Sequence, residues 1–396
     1  MGGKGKNAAS AELEARLAKE EQRLSGLSVP LLAWYDRQVR NLPWRESPAA
    51  YRVWISEIML QQTRIEAVLP YYDRFMRALP DAAALAAADE DTLMKLWEGL
   101  GYYSRARNLQ KAARLIVEQY GGELPADYQE LLTLPGVGEY TAGAIASIAF
   151  GIPVPAVDGN VLRVLARLTD SDEDVMKPAV RRAFSSLASA LVPADRPGDY
   201  NQAVMELGET VCLPNTEPDC AACPLADRCA GRAAGRARDL PVRAAPKERR
   251  RETRTILVLI DRGENGSRTV ARVLLHRRER KGLLSGMWEL PGVEGELTAE
   301  QALALAGEYG LPAKRAVRLS DGKHVFSHVE WVLHGWYMEA AGTGPCPSGC
   351  VWADGESLRE SYALPGAFRT YTGPLPGWLE GSGPAEDEQI PEQLTF

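Results

Sequence analysis

The apolar residues of this chain change period part-way along, and that change requires two domains of different class. Through about residue 230 they recur at helical spacing, as in Trp54, Ile55, Ile58 and Met59, in Leu93, Leu96 and Leu100, and in Leu109, Ala113 and Ile116. Short breakers at Leu79-Pro80-Asp81, Gly121-Gly122 and Leu134-Pro135-Gly136 divide this region into helices joined by brief connections. Beyond about residue 254 the period becomes two. Thr255 to Ile260, Thr269 to His276 and Val329 to Glu339 read as strands, the first two joined by a turn at Glu264-Asn265-Gly266, and Thr298 to Glu308 reads as a helix. The expected fold is multidomain, an all-α domain followed by an α+β domain.

Charge places the boundaries. The 396 residues carry 46 Lys and Arg against 53 Asp and Glu, a formal charge of −7, so the whole chain does not announce a polyanion partner. Between Arg232 and Arg254, however, nine basic residues face three acids, with prolines at 241 and 246, which reads as a basic interdomain linker. From 370 to the end there are five acids and no Lys or Arg, the composition of a solvated tail. The resulting segments are 1–28 (charged and amphipathic), 29–231 (helical domain), 232–254 (linker), 255–372 (α+β domain) and 373–396 (acidic tail). The longest uncharged stretch, Thr141 to Val157, is broken by Gly143, Gly151, Pro153 and Pro155 and is too short to span a bilayer, so no membrane association is expected. The N-terminus has no apolar signal region, which makes the cytoplasm the default compartment.

Four motifs carry candidate chemistry. Cys212, Cys220, Cys223 and Cys229 place four thiols within eighteen residues, the donor set of zinc or of an iron-sulfur cluster, between which spacing does not choose. Leu134-Pro-Gly136-Val-Gly138 is a hairpin opening a helix whose free N–H groups can bind a phosphate, with two glycines allowing close backbone approach. Glu57 lies on a helix among Val53, Trp54, Leu60 and Gln61, so its pKa should rise and let it donate a proton near neutrality. Asp158, in Val157-Asp158-Gly159-Asn160, is either a helix cap or a second carboxylate placed to stabilise developing positive charge.

These motifs occur together and in order with Leu42-Pro-Trp-Arg45, Leu60-Gln61-Gln62-Thr63 and Gly99-Leu100-Gly101-Tyr102-Tyr103-Ser104-Arg105. The chain resembles the MutY-type adenine DNA glycosylases of the helix-hairpin-helix superfamily, from about residue 30 to 370. The resemblance implies a two-lobed helical domain holding a 4Fe-4S cluster at the four cysteines, and removal of adenine mispaired with 8-oxoguanine, or with guanine, by a monomer acting on double-stranded DNA. It implies that Glu57 protonates adenine N7 and later assists water, that Asp158 stabilises the sugar cation, and that Tyr140 and Asn160 line the same site. It further places Arg45 near the adenine, Gln61 and Tyr102 as candidates to fill the gap left by a flipped base, and Thr63 and Leu100 near the opposite base. Bifunctional relatives carry a Lys in the hairpin where this chain has Tyr140, which implies base removal without efficient strand cleavage. The seven residues between Cys212 and Cys220, where six are expected in many relatives, lengthen a loop.

The α+β half resembles Nudix domains through Gly282-Leu-Leu-Ser-Gly286-Met-Trp-Glu-Leu-Pro291-Gly292. The following helix has Glu300 and Glu308 but lacks the paired glutamates that hold Mg²⁺, so pyrophosphatase chemistry is not expected. Phe326-Ser327-His328 matches the loop with which the family inspects 8-oxoguanine. Ser327 and His328 can hydrogen-bond a base edge while Phe326 anchors the loop. Cys346 and Cys350 are read as unligated, and His276, His324 and His334 as structural.

Overall fold

The computed structural model describes residues 3–244, 248–263, 270–340, 342 and 344–384. It divides into two compact units, Met1–Ala87 with Arg107–Ala245, and Ala88–Ala106 with Pro246–Phe396. The helices of the first half run α1 (Gly3–Leu24), α2 (Ser28–Gln38), α3 (Pro43–Glu46), α4 (Ala50–Leu60), α5 (Ile65–Ala78), α6 (Ala82–Ala87), α7 (Glu90–Leu96), α8 (Ser104–Tyr120), α9 (Tyr128–Thr133), α10 (Glu139–Phe150), α11 (Gly159–Leu168), α12 (Pro178–Leu191), α13 (Pro197–Thr210) and α14 (Ala230–Ala233). All but α7 and the start of α8 belong to the first unit.

Within that unit α4 and α10 form the centre. α10, Glu-Tyr-Thr-Ala-Gly-Ala-Ile-Ala-Ser-Ile-Ala-Phe, has small side chains on most sides, so α4, α9 and α13 pack closely on it and Thr141 to Ser147 are buried without interruption. α4 is buried from Val53 to Met59, which takes Glu57 out of water with its apolar neighbours. A second core joins α1, α2, α11, α12 and α13 around Leu31, Phe184 and Leu207, with Cys212, Cys223 and Cys229 packed on its margin.

In the second unit seven strands, β1 (Arg250–Asp261), β2 (Arg272–Arg277), β3 (Trp288–Glu289), β4 (Gly292–Glu294), β5 (Val317–Val325), β6 (Val329–Ala340) and β7 (Cys350–Ala353), form one sheet. Its order is β3-β2-β1-β6-β5, with β4 on β1 and β7 on β2. β1 and β6 pair in parallel over their whole length, and the other pairs are antiparallel. The period-two pattern sends Leu257 and Leu259 to the face covered by α15 (Ala299–Glu308). Ile256, Val258 and Ile260 go to the opposite face, which Phe368, Tyr371, Leu375 and Trp378 cover. α16 (Gly355–Glu360), α17 (Arg369–Thr372) and α18 (Leu375–Leu379) close the described chain.

The N-terminal segment, for which the sequence leaves packing or fraying open, packs: Leu13, Leu17 and Leu24 are buried and α1 lies on α12. Two other segments differ from the sequence reading. The basic stretch is folded for most of its length, because Ala237 and Leu240 are buried, the Arg167 guanidinium donates to the Leu240 carbonyl at 2.9 Å, and β1 begins at Arg250. Charge density marked it as a linker, but two small apolar residues suffice to anchor it. The tail begins later than 373, since Leu375 and Trp378 are buried under the sheet and the acids follow them. The Glu264-Asn265-Gly266 turn lies outside the described residues.

Candidate active site

Glu57, Tyr140 and Asp158 converge from α4, the first turn of α10 and the residue that caps α11, and they form a wall shared by two clefts of about 700 and 410 Å³. The Tyr140 hydroxyl donates to Glu57 Oε2 and also lies 3.3 Å from Met205 Sδ. Burial lifts the Glu57 pKa to about 7; the nearby Asp158 charge raises it too, while the Tyr140 hydrogen bond and the Arg45 charge pull it down. Such an acid is protonated in a large fraction of molecules at neutral pH. Burial raises the pKa of Asp158 as well, yet its carboxylate is held by donors: the Val161 N–H at 2.8 Å and the Asn160 amide at 2.9 Å. Asp158 is thus both cap and candidate catalytic group, the two readings that the sequence left open. Behind it, Arg163 donates to Asn160 Oδ1 at 2.8 Å, to the Gly208 carbonyl at 2.7 Å and to the Cys212 carbonyl at 2.8 Å. A Cβ on Gly208 would stand 2.7 Å from Asn160 Cβ, so α13 approaches Asn160 only because that position is glycine.

The smaller cleft is also lined by Leu42, Trp44, Arg45, Gln202, Met205 and Glu206. Arg45, on α3, donates to Glu206 Oε2 at 2.9 Å, to Gln202 Oε1 at 3.0 Å and to the Arg40 carbonyl at 3.2 Å. Thr63 lines this same cleft, and Gln61 lines the larger one, its amide 3.4 Å from Thr141 Oγ1. In the hairpin, Gly136 has φ +79° and a Cβ there would meet Asn108 Cβ at 2.7 Å, so the chain's own packing demands glycine. Gly138, which precedes α10, has ordinary φ and open space around it.

Cys212, Cys220, Cys223 and Cys229 lie close enough to interact with one another electrostatically, and burial raises the thiol pKa of the last three, that of Cys223 to about 11. Arg167 donates to Cys212 Sγ at 3.1 Å, a cation placed against a sulfur that a metal would make anionic. Among the described residues no three metal-ligating side chains close around the position of a single ion.

In the second unit Phe326-Ser327-His328 forms the turn between β5 and β6. Phe326 is half-buried, its ring edge-on to His324 at 4.6 Å and to Trp331 at 4.8 Å, while Ser327 and His328 are exposed. Trp331 is fixed in turn by Arg254 and Arg278, whose guanidiniums lie 4.8 and 5.6 Å from its ring centre, and by a hydrogen bond to Glu252 at 2.8 Å. Ser327 Oγ lies 3.4 Å from Tyr102 Oη. Tyr102 has φ +47° and is 48% exposed, whereas Leu100 is 7% exposed, so of these two candidates only Tyr102 presents a large surface.

Residues 55–189 match the HhH-GPD superfamily base excision DNA repair proteins, and residues 267–372 match the NUDIX domain. The human adenine DNA glycosylase is 37% identical over 89% of this chain and 75% of its own length. The mouse adenine DNA glycosylase is 37% identical over 89% of this chain and 79% of its own. The chain belongs to the adenine DNA glycosylases. The Arabidopsis thaliana adenine DNA glycosylase is 35% identical over 78% of this chain and 56% of its own length. As an adenine DNA glycosylase of base excision repair, the enzyme acts on N-glycosyl bonds, and its helix-hairpin-helix domain precedes a Nudix-like domain built on the sheet.

Sequence reasoning missed Gln202, Met205, Glu206 and Arg163. The first three lie on α13, where Gln202 and Glu206 stand four apart on one face, but an ordinary solvated helix face shows the same pattern. Only the burial of Glu206 in the fold separates the two cases.

Proposed function

We propose that this glycosylase hydrolyses the bond between adenine and deoxyribose when adenine lies opposite 8-oxoguanine, or guanine, in double-stranded DNA, and that it leaves the strand uncut. The reading is carried by Glu57, a buried acid with a pKa of about 7 sharing a cleft wall with Asp158. A flipped adenine in the smaller cleft puts its ring nitrogens beside Glu57. Proton transfer from the Glu57 carboxyl to N7 turns adenine into a neutral leaving group, so the C1′–N9 bond breaks with both electrons going to the base. The sugar is left as an oxocarbenium-like cation, which the Asp158 carboxylate faces. Glu57, now ionised, accepts a proton as water adds at C1′. The two carboxyls divide these roles because their environments differ. Asp158 has two N–H donors that favour its anion, whereas Glu57 accepts from the weakly acidic phenol of Tyr140. Tyr140 cannot form a Schiff base with the opened sugar, which supports base removal without lyase cleavage.

We further assign a 4Fe-4S cluster to Cys212, Cys220, Cys223 and Cys229. Four thiols gather there, and Arg167 donates to Cys212 Sγ at 3.1 Å, a cation that would offset the negative charge of thiolates ligating iron. These four residues would hold the cluster, and their ligation would brace the 212–229 loop. Ser327 and His328 are assigned to the edge of 8-oxoguanine, with Phe326 as their anchor, and Gly136 and Gly138 to a DNA phosphate. The reading includes a monomer working on nucleoid DNA in the cytoplasm.

Single-turnover release of adenine is the test, on duplexes with A opposite 8-oxoguanine, A opposite G and A opposite T, each sampled with and without alkali. Strand breaks confined to the two mispairs and appearing only after alkali are the expected result. Breaks at the mispaired adenine without alkali, or at thymine glycol in a fourth, control duplex, would overturn it. Iron content and visible absorption of the purified protein decide between cluster and zinc.

A further inference from the structure

Glu206 is 2% exposed and sits between two guanidiniums, those of Arg40 and Arg45. Arg40 reaches both its carboxylate oxygens and also Glu209, which lies at the surface. Arg45 gives one N–H to Glu206, a second to Gln202 and a third to the Arg40 carbonyl, and its guanidinium lies 5.8 Å from the Tyr35 ring centre. A guanidinium has five N–H groups, so two remain for the cleft that Arg45 lines with Glu57. A buried carboxylate leaves water at high cost and persists only when its partners fix it, so the arrangement is stiff and its loss sets Arg45 free.

We propose that Glu206 is a positioning residue for the base-excision step: it clamps Arg45 in the lining of the adenine cleft and neutralises it there, so that Arg45 does not swing toward Glu57 and ionise the catalytic acid. The inference rests on the reading of Glu57 as that acid. The charged and titratable groups lining the two clefts that Glu57 shares are Arg45 on α3, Arg64 before α5, Glu139 and Tyr140 on α10, Asp158 before α11, Arg181 on α12, and Glu206 and Glu209 on α13, with Arg40 bonded to the last two. Among these Arg45 is the cation that acts directly on Glu57, and Glu206 is the anion bonded to it. Removing the charge of Glu206 leaves Arg45 without a carboxylate partner and Arg40 with Glu209 alone, which favours the Glu57 carboxylate and lowers the pH at which the acid loses its proton.

The experiment is the pH profile of single-turnover adenine release for the full-length protein with A opposite 8-oxoguanine, comparing wild type, Glu206→Gln, Glu206→Asp, Arg45→Met, Glu206→Gln with Arg45→Met, and Glu57→Gln. In Glu206→Gln the alkaline limb should move down by about half to one pH unit, a three- to tenfold loss at fixed pH on that limb that acidification restores. Glu206→Asp should keep the wild-type midpoint, and in the Arg45→Met background the shift due to Glu206→Gln should shrink to a small fraction. A rate lowered equally at every pH, or a shift of full size without Arg45, overturns the proposal. Should Glu206→Gln fail to fold, Arg45→Met alone still tests the argument: without the cation that Glu206 restrains, the alkaline midpoint should move up, and an unmoved midpoint there overturns the proposal. Glu57→Gln separates the two levels of the argument. Adenine release retained in that variant overturns the acid itself, whereas a dead Glu57→Gln beside an unmoved Glu206→Gln midpoint overturns only the clamp.

Discussion

Glu57 shows how a single residue trades stability for chemistry. Its pKa rises from an ordinary 4.5 to about 7 on folding, so the folded protein binds this proton more tightly than the unfolded chain does. The favourable contribution is therefore full below pH 4.5 and is lost as pH rises through 7, leaving a cost of about 3 kcal/mol in alkaline solution. Glu57→Gln keeps the shape and can still accept from Tyr140, and it should raise the melting temperature at pH 8 while the difference from wild type vanishes toward pH 5. A difference independent of pH would refute the buried-acid assignment. Tyr140→Lys tests the neighbouring position: an amine there should confer strand nicking without alkali, read on a sequencing gel. Glu57 was legible in part: Val53, Trp54 and Leu60 mark an apolar surrounding for it, but most lone acids in helices are solvated, and it was the company of the other motifs that singled it out. Glu206 was not, because its partners Arg40 and Arg45 lie some 160 positions earlier in the chain and polar residues around it disguise it as solvated.

At the scale of elements, local chemistry was readable and long-range pairing was not. The helix at 299–308 follows from Thr298, which caps it through the Gln301 N–H, and the hairpin follows from its glycines. The parallel pairing of β1 with β6 joins residues about 79 apart, and no local pattern encodes such a register. The two hairpin glycines, alike in sequence, should now behave differently. Gly136→Ala puts a Cβ on a backbone of φ +79° and against Asn108 Cβ, so it should cost about 1–2 kcal/mol from the backbone alone and more from the overlap, read as a lower melting temperature. Gly138→Ala meets neither obstacle. It should leave the melting temperature unchanged and weaken binding to duplex DNA severalfold if the start of α10 receives a phosphate; unchanged binding would remove Gly138 from the DNA surface.

The residues proposed for base excision and those proposed for reading the opposite base lie in different compact units. Glu57, Tyr140 and Asp158 belong to the helical unit, whereas Ser327, His328 and Tyr102 belong to the unit built on the sheet. That Tyr102 is carried with the sheet, although the resemblance places it in the helical domain, was invisible in a linear reading: α7 donates through Lys95 to the Leu358 carbonyl at 2.8 Å, and the Leu364 N–H donates to Glu98 at 2.7 Å, so residues 88–106 are bound into the second unit. The division has a measurable consequence. If Ser327 and His328 read the edge of 8-oxoguanine, replacing both with Ala removes hydrogen bonds that guanine does not supply in the same pattern, and each is worth about 1 kcal/mol, roughly thirtyfold when both are lost. Adenine release opposite 8-oxoguanine should therefore slow by about that factor, while release opposite guanine, which depends on the chemistry in the helical unit, should hold nearly constant. Phe326→Ala should reproduce the loss in weaker form, because the anchor against Trp331 and His324 is gone but the polar groups remain. Equal slowing on both mispairs would mean that the loop supports the catalytic unit in general and does not read the opposite base.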